Sequence, residues 1–72
     1  MSEATKILAF VAFCVESYKH RKGLEGMAAA DVFRRYGVDK YLTDEYEVLH
    51  TMGMEQILDD IERFIEVREV GR

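Results

Sequence analysis

The stretch SEATKILAFVAFCVESYKHRKG, residues 2–23, decides the fold class. Ile7, Leu8, Phe10, Val11, Cys14, Val15 and Tyr18 recur at helical spacing and form one broad apolar face. Ser2 suits the N-cap, where its hydroxyl accepts a bond from a free N–H of the first turn, and Glu3 suits the positive end of the helix dipole. At the other end KHRK, residues 19–22, sets cations against the negative end of the dipole, and Gly23 suits the left-handed position that closes a helix. His20 is read first as part of this ending, and second as part of a phosphate-binding patch. Phe13 does not fit the face. At about 100° per residue it falls on a flank with Ala9 and Ala12, so either a second element of the fold covers it or another chain does.

The apolar core of this helix, ILAFVAFCV, is nine residues long. A membrane span needs about 20, and MSEATK lacks the basic start of a signal peptide, so a cytoplasmic protein with no targeting segment is expected. Cys14 has no second cysteine to pair with and sits in an apolar pattern, which reads as a small buried hydrophobe in a reducing compartment.

Glycines punctuate the rest of the chain, and there is no proline. A second helix is expected over 26–36, with Ala29, Val32, Phe33 and Tyr36 on one side and Asp31 and Arg35 paired outside. A third is expected over 38–52. Val38, Tyr41, Leu42, Tyr46, Val48 and Leu49 fall on one arc, but so does Glu45, and burying a carboxylate is costly. Two versions stay open: one straight helix, or a break near Leu42 with Thr43 as N-cap of a new helix and Glu45 in its first turn. The fourth runs over 54–70, with Ile57, Leu58, Ile61, Phe64 and Ile65 in a narrow stripe. Its remaining surface, including Asp59, Asp60 and Glu62, is a solvated face that also concentrates acidic charge.

The expected fold is all-α: a single domain, residues 1–72, forming a compact bundle of four helices over about 2–22, 26–36, 38–52 and 54–70. The first is the longest and most apolar and is expected at the centre. Hydrophobic residues make up 49% of the 72, enough for a folded globule, although so short a chain has a marginal core unless it packs well or oligomerises.

The chemistry is thin. With one cysteine, two histidines and serines at 2 and 17 only, no nucleophile comes with a base and an orienting group. No enzyme is expected. No CxxC, no His pair at helical spacing and no calcium loop is present, so no metal is expected; no glycine-rich phosphate loop is present, so no cofactor is expected. The net charge of −4 favours a basic protein partner over nucleic acid. The serious rival is a helix-turn-helix DNA-binding regulator, because AAADVFRRYGVDKYLTDEYEVL is helix, glycine turn, helix. Its second helix, however, carries Asp39, Asp44, Glu45 and Glu47, which would face phosphate.

YEVLHTMGMEQ, residues 46–56, closes the third helix. His50 lies one turn after Tyr46 at the edge of the apolar arc, where its ring can bond a free helix-end carbonyl, and Thr51 and Gly53 let the chain turn. The other reading is that His50 and Thr51 line a groove that a partner fills. The whole run from FCVESYKHRKGLEG through ADVFRRYGVDKYLTDEYEVLHTMGMEQ to ILDDIERFI resembles a family of short bacterial proteins grouped as a domain of unknown function. The likeness covers residues 10–66, and LHTMG with DDIERFI carries it best. Val15 stands where that family has isoleucine, and Met52 where it has a polar residue. Its members are often encoded beside a protein resembling an ADP-ribosyltransferase-like toxin, so the resemblance implies a small antitoxin-like partner. It carries over no active-site residue. The expected function is a non-enzymatic module that binds another protein, with Phe13, Tyr46, His50, Thr51, Asp59, Asp60 and Glu62 as candidate contacts. The alternatives are the DNA-binding regulator and a purely self-associating structural protein, a homodimer through the Phe13 flank being compatible with the main reading.

Overall fold

A computed structural model describes residues 2–70, and these are all-helical with no strand among them. The elements are α1 (Glu3–Lys22), α2 (Gly26–Tyr36), α3 (Val38–Asp44), α4 (Tyr46–Leu49) and α5 (Met54–Val70). Among the described residues there are five helices rather than four, because the segment expected over 38–52 divides into α3 and α4.

The caps act as their chemistry requires. Ser2 Oγ accepts the Thr5 N–H at 3.2 Å, and Lys19, His20, Arg21 and Lys22 occupy the last turn of α1. Gly23, at φ 66°, ends that helix in the left-handed region, and the Leu24 N–H then reaches back to the Lys19 carbonyl at 3.0 Å. Gly37, at φ 73°, both ends α2 and opens α3, so the two helices turn on a single residue.

The break between α3 and α4 falls at Glu45, not near Leu42 and Thr43. On a straight helix Val38, Leu42, Glu45 and Leu49 would all lie within an arc of about 60°. The first, second and fourth are buried in the core. Breaking the helix at Glu45 itself, at φ −103° and ψ 18°, leaves that carboxylate exposed. Thr43 is not an N-cap: its hydroxyl donates to the Asp39 carbonyl within α3, at 2.8 Å.

The core collects Cys14 and Tyr18 from α1, Ala29 and Phe33 from α2, Val38 and Leu42 from α3, Leu49 from α4, and Ile57, Leu58, Ile61 and Ile65 from α5. The rings of Tyr18 and Phe33 meet edge to face with centroids 5.3 Å apart, and Tyr41 stacks on Phe64 at 4.5 Å. α1 lies against α2, α3 and α5. Only its second half is central, however. Leu8, expected in the core, is 70% exposed. A helix of 20 residues is about 30 Å long, in a molecule whose longest dimension is 37 Å.

Candidate interaction surface

His50 and Thr51 complete a helix end. The His50 ring lies nearly parallel to that of Tyr46, with centroids 4.5 Å apart. Its Nδ1 is 2.7 Å from the Tyr46 carbonyl oxygen, so an Nδ1–H shares that acceptor with the backbone N–H of His50, which reaches it at 2.9 Å. The Thr51 hydroxyl donates to the Val48 carbonyl at 2.7 Å. Tyr46 in turn receives Phe10 of α1 edge on, at 5.3 Å. Phe10, Tyr46 and His50 therefore form one row that holds α4 to the first half of α1. These side chains bond locally, yet His50 and Thr51 remain exposed.

Asp59, Asp60 and Glu62 do not form one acidic face. Asp59 and Glu62 turn toward the end of α1, where Arg21 Nη1 donates to both, at 2.8 and 2.9 Å. Lys22 adds a longer ion pair to Glu62 at 3.5 Å. Hydrogen bonds from Arg21 to these two carboxylates hold its guanidinium above the usual arginine range. Asp60 turns the other way and accepts the Tyr41 hydroxyl at 2.6 Å. That hydrogen bond, helped by partial burial and by the charges of Asp60 and Glu45, pushes the Tyr41 phenol up to about 12. The three acids thus act as two ties, α5 to α1 and α5 to α3. The negative charge that α5 offers to an approaching molecule is reduced accordingly.

Phe13 is different. Among the described residues no element covers it, and it is 59% exposed. Ala9 and Ala12 beside it are exposed too. With Leu8 they make the outer face of the first half of α1 apolar, with no charge between Lys6 and Glu16. Round the near edge, Ala4, Ile7, Leu8 and Val11 form one wall of a groove of about 480 Å³, and Asp39 and Thr43 of α3 form the other. Helical spacing singles out Phe13 but places Leu8 inside. Leu8 sits at the border of the apolar stripe, and spacing alone cannot say where the covering helices end.

Cys14 is wholly buried, and desolvation pushes its thiol up to about 11, which keeps it protonated and inert. Among the described residues no three His, Cys, Asp or Glu side chains come together as metal ligands, and no helix is long and apolar enough to cross a membrane. In the helix-turn-helix-like pair, Arg34 of α2 is bonded to Asp31, and Lys40 of α3 to Asp44 at 2.7 Å. Two cations suited to phosphate are thereby partly neutralised, and α3 is only seven residues long.

A family model described as a protein of unknown function (DUF3791) matches residues 9–68. This span agrees closely with the resemblance read from residues 10–66, and the match carries no information on the LHTMG segment or on gene neighbours. No curated protein and no solved structure matches the chain.

Proposed function

We propose that this chain, which belongs to the DUF3791 family of proteins of unknown function, is a non-enzymatic module that binds another protein, and that the outer face of the first half of α1 is its binding surface. The observation that carries this reading is the exposure of Leu8 and Phe13, at 70% and 59%, on a helix whose second half is packed into the core. In a domain this small, apolar area is scarce and is used first to close the core. Large apolar side chains left outside on adjoining turns are the usual anchors of an interface, with small residues between them to admit a partner closely. The same surface lacks the paired nucleophile and base, or the converging ligands, that catalysis needs.

The partner we favour is the product of an adjacent gene, with this chain as the small antitoxin-like member of the pair. That choice rests on the family resemblance, and the choice of surface rests on the geometry. Co-expression with the adjacent gene product tests both. The wild-type chain is expected to co-purify with it, and Phe13→Asp to fold normally and lose it. Absence of any association would overturn the choice of partner. Association indifferent to Phe13→Asp would overturn the choice of surface.

A further inference from the structure

We infer that the outer face of α1 pairs antiparallel with the same face of a second copy of this chain; the inference rests on the reading of that face as a binding surface. Going round the helix at about 100° per residue, the order is Leu8, Ala12, Thr5, Glu16, Ala9, Phe13, Lys6, an arc of about 160°. All seven are exposed. This order is complementary to itself. A two-fold axis perpendicular to α1, midway between residues 10 and 11, places Phe13 of one copy over Ala9 of the other, and Leu8 over the other copy's Ala12. Each large side chain meets a small one, which is the condition for two helices to approach to about 8 Å. The same axis sets Lys6 beside the second copy's Glu16, and Glu16 beside the second copy's Lys6.

The charges favour a second copy over an unrelated helix. Lys6 has no ion-pair partner among the described residues. Glu16 is held at the other end of the strip by Lys19 at 2.8 Å and by His20 at 3.5 Å, and the hydrogen bond from Lys19 lowers its pKa. In a parallel pairing Lys6 would meet Lys6 and Glu16 would meet Glu16. Only the antiparallel arrangement turns both like contacts into unlike ones, and a closed isologous pair forms from it without further growth.

Sedimentation of the purified chain over a wide concentration range tests this, with circular dichroism confirming that each variant is folded. The wild type is expected to pass from monomer to dimer. Ala12→Lys, a change at an exposed helical position, is expected to weaken the dimer by about tenfold or more, as a charge at the crossing must be desolvated. Lys6→Glu and Glu16→Lys are each expected to weaken it, and the double variant to recover most of the loss, because the pair is restored between copies. A dimer indifferent to Ala12→Lys would overturn the inference, as would a double variant weaker than both singles. A chain that stays monomeric at every concentration overturns the inference yet spares the broader reading if Phe13→Asp still abolishes capture of a different protein. Indifference of both associations to Phe13 sinks the two together.

Discussion

The two halves of α1 have opposite surroundings, and the half richer in apolar residues is the less enclosed one. Cys14 and Tyr18 of the second half are buried, flanked by α2 on one side and joined to α5 by Arg21. In the first half, Ile7, Phe10 and Val11 are half-buried, and no residue is fully enclosed. The difference lies in what the rest of the chain can reach. α2 and α5 pack around the second half, and α3 and the single turn of α4 are too short to close over the first. Hydrophobicity therefore acts as core in one half and as exposed surface in the other, and the same helix supports the fold at one end while it is free for binding at the other.

The packed half should be the easier to break. Phe33 is 1% exposed and holds Tyr18 edge to face. Phe33→Ala is expected to cost about 3–5 kcal/mol. A domain of this length has roughly 4–10 kcal/mol in total, so the variant should lose a large share of its stability and melt far below the wild type, as read by helical circular dichroism. Phe33→Leu keeps most of the volume and should stay folded with a loss of about 1 kcal/mol. If Phe33→Ala melted like the wild type, the second half of α1 would not be the anchored one.

A smaller effect is expected where α3 is tied to α5. The Tyr41 phenol must be protonated to donate to Asp60, so its pKa rises from 10.0 to about 12 on folding. An acid held in its neutral form adds stability that is fully present below pH 10 and is lost as pH climbs through 12, because the unfolded chain releases that proton first. Tyr41→Phe is expected to cost about 1 kcal/mol at neutral pH. It should also remove the latest-titrating component of tyrosinate absorbance. If the wild type gained stability between pH 10 and 12, the sign of this tie would be wrong.

Most of this was legible in the residues, and what was not has a common cause. Ser2, Gly23 and Gly37 punctuate the chain where their chemistry says they should, since capping is local. The stripe of α5 is also where its spacing puts it. The site of the helix break was misplaced by two to three residues: Thr43 looks like an N-cap, but its hydroxyl has a competing acceptor one turn back in Asp39. The conflict at Glu45 was visible beforehand; its solution, a break at the offending residue, needed the core as a whole. Asp59, Asp60 and Glu62 read as one acidic face because a helical projection ignores which neighbours stand on either side. Leu8 is the same failure in reverse, an apolar residue counted inside because nothing in the spacing shows that α3 stops short of it.

The smallest expected effect is the sharpest test of the contrast between the halves. Phe13→Ser removes an aromatic ring from a site 59% exposed. A substitution at such a place, away from caps and buried partners, should change the stability of the dilute monomer by no more than about 0.5 kcal/mol. Phe33 and Phe13 would then differ about tenfold in their contribution to the fold, although both stand on apolar helices of one small domain. Denaturant melts at low concentration give this number. Repeating them at high concentration adds a second reading: anything that binds the folded chain raises its apparent stability by mass action, so the wild type should gain stability with concentration and Phe13→Ser should not. A loss of about 2 kcal/mol or more in the dilute variant would mean that Phe13 is held by the fold itself, and the first half of α1 would then have no claim to be a surface reserved for another chain.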